Sequence, residues 1–308
     1  MLDWLIIGAG IHGAHLAHVL LQRGGVPRSR VRLLDPHEGL LARWQHVTGN
    51  VGMTFLRSPS VHHIGLDADD LHRFAQSPVG HCLAEYRDPH HRPGLMLFDA
   101  HAEAVVRTQR LSELLLQGTA CGLQRRRSGW RVLTDRGEID AMRVILAIGR
   151  TALHRPAWAA GECDGRISHI FEPGFAREQI PSTAQIVVVG GGISAAQTAT
   201  ALVRSGHQSV TMMMREPIRK THFDSNPCWN GPKCLTKFHH THCYQDRRRQ
   251  IQEGRYRGTM PHDVARDLLQ AVEAGRIELK TAEVTICTAA PDSRLHLHLS
   301  TGEALRAD

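Results

Sequence analysis

The sequence predicts an α/β fold in two similar halves, each a parallel sheet followed by a β-meander. Three observations carry the prediction. An apolar run and a Gly-x-Gly-x-x-Gly loop open the chain over residues 2–13, and an apolar run with Gly-x-Gly-x-x-Ala repeats the plan over 186–195. Alternating stretches, "SGWRVLTDRGEID" and "SRLHLHLSTGEALRAD", then place a meander late in each half. At 308 residues the chain is long enough for two domains with a core each.

In "LDWLIIGAGIHGAHLAHVLLQRGG" a short apolar strand runs into the first loop and then into a helix closed by Gly24–Gly25. Gly8 suits the tight turn, Gly10 lets a pyrophosphate approach the backbone, and Gly13 lets helix and strand pack closely. The helix N-terminus offers free N–H groups and a positive dipole end to phosphate, while Ala17 keeps the helix near the sheet. The second strand, "RVRLLDP", ends on Asp35, 22 residues beyond Gly13, where a carboxylate meets a ribose diol. A structural glycine turn does not explain strand, loop, helix, strand and acid in this register. "VILAIG", Val144 to Gly149, reads as a buried parallel strand whose closing Gly149 lies beside the dinucleotide.

The second loop, Gly190-x-Gly192-x-x-Ala195, follows Ile186–Val189, with a small alanine in place of the third glycine. The next strand, Val210–Met214, ends on Arg215, with Arg219 and Lys220 close behind. A guanidinium there binds a 2′-phosphate, which an acid would repel, so NADPH is preferred to NADH. Glu216 argues the other way if the strand shifts by one residue. Residues 1–165 are thus assigned to a first Rossmann-like dinucleotide-binding domain, 166–183 to a linker and 184–308 to a second such domain.

Composition narrows the classes. A net charge of +7 rests mostly on dispersed arginines, with dense "RRR" patches only at 125–127 and 247–249, and reads as a solvated surface rather than a nucleic-acid footprint. No run approaches the ~20 apolar residues of a membrane span, and "MLDWLIIGAG" is unlike a signal peptide. Seven cysteines, scattered without a disulfide-like framework, point to a reducing cytoplasm.

"GAGIHG", Asp35, "VILAIG", "GGGISA" and Arg215, in this order over nearly the whole chain, resemble the two-dinucleotide-binding flavoproteins. Within them they resemble the class B flavin monooxygenases: ornithine and lysine N-hydroxylases, Baeyer–Villiger enzymes and flavin-containing monooxygenases. The resemblance implies FAD on the first domain and NADPH on the second, which is inserted in the first. It also implies a small nucleophilic, amine-like substrate with molecular oxygen as co-substrate, and leaves homo-oligomers open. The segment after Asp35 looks like the family's tryptophan-bearing loop, which would put Arg43, Trp44, Arg57 and Ser58 near the flavin or its pyrophosphate. Two departures stand out: Ile148 replaces the family's usual threonine, and "ISHIFEPGF" (167–175) matches the monooxygenase fingerprint only loosely. A truncated or non-catalytic flavoprotein, or a flavin oxidoreductase without oxygen insertion, is the alternative. No acid–base constellation is evident or required, since the flavin carries the chemistry. Disulfide reduction needs two nearby thiols facing the flavin; the 35–65 segment has no cysteine, and the nearest spacing is Cys228 to Cys234.

"CWNGPKCLTKFHHTHC" (228–243) gathers three cysteines with His239, His240 and His242 at spacings unlike a zinc knuckle, and is expected to be a long loop of the second domain. "YQDRRRQIQEGRYRG" reads as an exposed amphipathic helix ended by glycine. His62–His63 read as a surface pair or as a contact to flavin or substrate. The second meander is expected to pair around Ile286 and His296, as the first does around Leu123 and Val132. A strand like "VILAIG" and a return to the first domain belong after Asp308, so the 308 residues read as a truncated or naturally short form with an open flavin site.

Overall fold

The computed structural model describes residues 1–149, 153–159, 165–290 and 294–308. It forms two compact units: Met1–Gly49 with Met53–Leu153, and Asn50–Gly52 with His154–Asp308. Where the sequence suggests a boundary at 165 and a linker over 166–183, residues from 154 onward group with the second unit.

In the first unit, β1 (Leu2–Ile7) leads into α1 (Ile11–Gln22) and β2 (Val31–Asp35). Next come α2 (Ala42–Val51), α3 (Asp70–Ala75), α4 (Pro78–His81), the short strands β3 (Tyr86–Arg87) and β4 (Arg92–Pro93), and α5 (Leu95–Thr108). β5 (Leu115–Gln117) precedes the meander β6 (Ala120–Arg126), β7 (Gly129–Thr134) and β8 (Gly137–Leu146). The sheet order is β5-β2-β1-β8-β7-β6, parallel from β5 to β8 and antiparallel beyond. Because strand side chains alternate, β1 and β2 feed two cores. Ile6, Val31 and Leu33 pack with Ala14 and Ala17 of α1, while Leu5, Ile7 and Leu34 pack with Val132 and Ala141.

The second unit repeats the plan. β9 (Gln185–Val189), α6 (Ile193–Arg204) and β10 (Ser209–Met214) precede β11 (Arg219–Lys220), α7 (Pro232–His240), α8 (Tyr244–Gly254) and β12 (Thr259–Met260). α9 (His262–Glu273), β13 (Glu278–Thr281) and the meander β14 (Val284–Ala289), β15 (Leu295–Leu299) and β16 (Ala304–Ala307) complete it. The parallel sheet is β13-β10-β9, and β11 pairs with β12 in a separate ribbon. Ala265, Leu268 and Ala271 of α9 meet Ala196, Ala199 and Leu202 of α6 over one face. The meander covers the other face through Leu295, Leu297 and Leu299.

Two details of the meanders differ from expectation or from each other. Leu123 faces Val132 as expected, but Ile286 faces His298 and His296 faces Thr288, two residues from the expected pairing, with a one-residue irregularity between Val284 and Ile286. In the first unit Ala141 pairs with both Trp130 and Leu2, so β8 passes from the meander into the parallel sheet. The second unit reaches the same junction at Asp308, whose N–H donates to the Gln185 carbonyl at 3.0 Å. Among the described residues no further strand continues along β9. No described helix is long and apolar enough to cross a membrane.

Candidate functional site

The first glycine loop hangs between the tips of β1 and β2. Gly8 has φ 107°, a region that favours glycine, and its N–H donates to the Leu34 carbonyl at 2.8 Å. A Cβ at Gly8 would overlap the Ala147 carbonyl, so the "VILAIG" run ends against the loop, but Leu146 and Ile148 are exposed where the sequence suggests a buried strand; the Ala147 N–H donates to the Ile7 carbonyl at 2.8 Å. Gly149, with φ 64°, faces open space two residues on. A Cβ at Gly13 would fall on the Gly8 carbonyl, whereas one at Gly10 meets no atom within 4 Å. The three glycines therefore differ in kind: two are required by the fold, and Gly10 borders free space.

Asp35 ends β2 and braces this loop. Its Oδ2 accepts from the Ala9 N–H at 2.7 Å, and its Oδ1 accepts from the His37 N–H at 3.0 Å and faces His37 Nδ1 at 2.7 Å. Sequence reasoning did not single out His37, although an aspartate bonding the backbone two residues on is a local Asx turn. The Leu41 N–H, donating to Ala9 at 2.9 Å, ties the segment leading into α2 to the same loop. On α2, Arg43 is exposed, while Trp44 is held by the scaffold: its Nε1 donates to Asp99 at 2.8 Å and its ring lies 5.3 Å from that of Phe98. Burial raises the pKa of Asp99, an effect the Trp44 bond opposes. Arg57 and Ser58, both half-buried, follow a strap pinned by the Leu56 N–H to the Pro93 carbonyl at 3.0 Å.

The second loop has the same frame, the Gly190 N–H donating to Met213 at 2.8 Å. A Cβ at Gly190 would sit 3.1 Å from that of Ala195, so this turn admits the alanine that the first excludes. Around Gly192 the nearest atoms to an added Cβ are the Gly258 Cα at 3.7 Å and the Thr259 carbonyl at 4.0 Å, both at the root of the β11–β12 ribbon. Arg215 follows β10 with its side chain 75 % exposed, 3.8 Å from Glu283.

The Cys228–Cys243 segment corrects the sequence expectation twice. It is helical rather than a loop, with a 3-10 turn over Pro227–Asn230, then α7, with α8 beginning at Tyr244. Cys228 is disulfide-bonded to Cys234, although the cysteines show no disulfide framework in sequence. The turn at Gly231–Pro232 brings their Cα atoms to 5.2 Å, within bridging range. Cys243 stays free and exposed, and no group of described residues could hold a metal ion.

Histidines form a cluster that sequence reasoning missed, since no motif marks it. Nδ1 atoms of His15 and His18 both face the Ile64 carbonyl, at 3.2 and 3.3 Å. Half-buried His63 accepts from the Gly65 N–H and packs edge-on to His101 at 5.1 Å, so it is not a surface pair with exposed His62. His101 is 4 % exposed with its Nδ1 unpartnered, and burial pushes its pKa down to about 4, with His63 and His18 adding to the effect against Asp70. Folded His101 is neutral, whereas the unfolded chain takes up a proton near pH 6.5. Its contribution is therefore complete above pH 6.5 and declines toward pH 4, by roughly 3 kcal/mol in all. The His101→Phe protein is expected to lose this share of the acid sensitivity, read as a shallower pH dependence of urea unfolding.

A family model described as pyridine nucleotide-disulphide oxidoreductase matches residues 5–241. No curated protein matches the sequence. Among solved structures, the FAD-bound cadaverine monooxygenase of Erwinia amylovora is similar at 17% identity and a TM-score of 0.73, over 99% of this chain and 76% of that one. The ornithine hydroxylase of Pseudomonas aeruginosa is similar at 17% identity and 0.72, over 99% and 79%. The bacillithiol disulfide reductase of Staphylococcus aureus is similar at 13% identity and 0.55, over 99% and 73%. At these identities the likeness is one of fold.

Proposed function

The chain belongs to the pyridine nucleotide-disulphide oxidoreductase family, and on that premise we propose that it is an FAD- and NADPH-dependent monooxygenase acting on a small amine. The observation that carries this reading is the pair of glycine loops, alike in backbone frame and opposite in charge at the tip of the second strand. Both frames fit a dinucleotide: nothing lies within 4 Å of a Cβ added at Gly10, and nothing closer than 3.7 Å at Gly192.

In the first unit the N-terminal amides of α1 hold the FAD pyrophosphate. Asp35, with lone pairs left after its bonds to Ala9 and His37, accepts from the ribose. In the second unit the amides of α6 hold the NADPH pyrophosphate, and Arg215 donates to the 2′-phosphate. Flavin, when bound, supplies the two-electron chemistry and the activation of oxygen. The amine substrate is supported by likeness to the ornithine hydroxylase and the cadaverine monooxygenase.

The test is direct. Protein purified or reconstituted with FAD should be yellow, oxidise NADPH, and hydroxylate ornithine, lysine or cadaverine at nitrogen. Protein that stays colourless with added FAD overturns the reading, while NADPH oxidation without any hydroxylated product leaves only a flavin oxidoreductase. Arg215→Ala is expected to weaken NADPH binding by about 1.5–3 kcal/mol, the range for a hydrogen bond to a charged group, and to leave NADH nearly unaffected. Equal losses for both coenzymes, measured by titration, would remove Arg215 from the 2′-phosphate.

A further inference from the structure

We propose that Cys228 and Cys234 are a reversible thiol–disulfide switch, reduced by a dithiol, that stiffens the 226–254 excursion and through it the second glycine loop. The effect on nucleotide rests on the reading of that loop given above; the effect on the excursion does not.

The excursion needs a clamp because it lacks a core. Neither α7 nor α8 buries a single residue. Besides the disulfide, it is held by contacts to a few side chains. Arg247 lies over the Phe238 ring at 5.3 Å and donates to the His239 carbonyl at 3.1 Å. Trp229, next to Cys228, packs 5.9 Å from Phe238 and against Gly254, where an added Cβ would meet its indole at 2.8 Å. The bridge thus fixes the tryptophan that joins the start of the excursion to the end of α8. Its root is the ribbon of β11 and β12, reinforced by the Ser225–Arg255 bridge, and that ribbon borders Gly192.

The bridge is placed for exchange. Both cysteines are half-exposed, and Cys82, Cys121 and Cys243 are free and exposed, so the described cysteines do not form an oxidised scaffold. Cys234 is the third residue of α7, whose first turn carries no acid and whose free amides favour negative charge. A reductant thiolate attacks Sγ of Cys228, the S–S bond breaks, and Cys234 departs as thiolate. The second thiol of the reductant then attacks the mixed disulfide and releases Cys228. Two electrons and two protons pass to the protein, and the reductant leaves as its own disulfide.

The experiment uses the full chain, oxidised or treated with dithiothreitol, together with the Cys228→Ser/Cys234→Ser double variant and Cys243→Ser. Alkylation and peptide mapping should label Cys228 and Cys234 only after reduction. Tryptic nicking at Lys233, Lys237 and Arg247 should rise about fivefold or more on reduction, since cleavage follows the population of opened chain. NADPH should bind several-fold more weakly, as its competent conformer becomes less populated. The double variant should match the reduced protein and ignore dithiothreitol, while Cys243→Ser should respond like the parent. Labelling without reduction, or a double variant nicked no faster than oxidised parent, overturns the proposal. So does anaerobic reduction of the bridge by NADPH alone, which would make it a catalytic dithiol. Should no nucleotide bind in either state, the reading of the second loop fails while the nicking rates still decide the switch.

Discussion

The Gly10→Val protein is expected to fold as the parent does and to carry no flavin. Gly10 caps α1 with φ −73° and ψ −167°, a conformation open to any residue, and an added Cβ there meets nothing within 4 Å. The fold loses only a better cap, about 1 kcal/mol. The valine methyls instead fill the space in front of the first amides of α1. Losing two charge-assisted hydrogen bonds to a pyrophosphate costs roughly 3–6 kcal/mol, or about 10²–10⁴ in affinity. The ratio of flavin to protein absorbance, read beside the thermal midpoint, checks both halves. Stoichiometric flavin in this variant would refute the first loop as a dinucleotide site.

Gly13→Ala, a smaller change three residues away, is expected to damage the fold itself. Its Cβ would lie on the Gly8 carbonyl, a backbone group that cannot swing aside, so α1 must move off the sheet together with Ala14 and Ala17, which are wholly buried. Such overpacking costs ~3 kcal/mol or more, a large part of the 5–15 kcal/mol that holds a typical protein. The expected result is a thermal midpoint lowered by roughly 5–10 °C, or insoluble protein, and the loss should appear with or without FAD. An unchanged midpoint would mean that helix and turn are less tightly joined than the structure has them. Ala195 occupies the matching place in the second unit without such a clash, so the effect belongs to the geometry of the first turn and not to the motif.

What was legible in the sequence was whatever burial writes as a pattern. The continuous apolar runs of β1, β9 and "VILAIG" marked parallel strands, although Val189, Leu146 and Ile148 are exposed and only β1 is deeply buried, and Asp35 and Arg215 were placed at strand tips by counting from glycines. The helices over 232–254 were half hidden, because α7 buries no residue and its stripe of Cys234, Leu235 and Phe238 is short and half-exposed. The disulfide depends on the turn at Gly231–Pro232, which spacing alone does not reveal. Alternation in "LHLHL" fixed which face of β15 is buried but not its partner register, since a slide of two residues along β14 leaves the same face inward. His101 escaped because a lone histidine on the apolar face of α5 looks like any other core position.

The hydrogen bonds from Gly8 to Leu34 and from Gly190 to Met213 have a thermodynamic consequence. Each turn is fastened to its neighbouring strand by the chain's own backbone, so the entropy of ordering it is lost when the chain folds and not when a nucleotide arrives. Fixing a residue's backbone costs about 1–2 kcal/mol, and a loop left slack would subtract that sum from every encounter with a ligand. A rigid cradle keeps the binding energy of the phosphates intact, and the association rate is then governed by diffusion and orientation, with no wait for a loop to close.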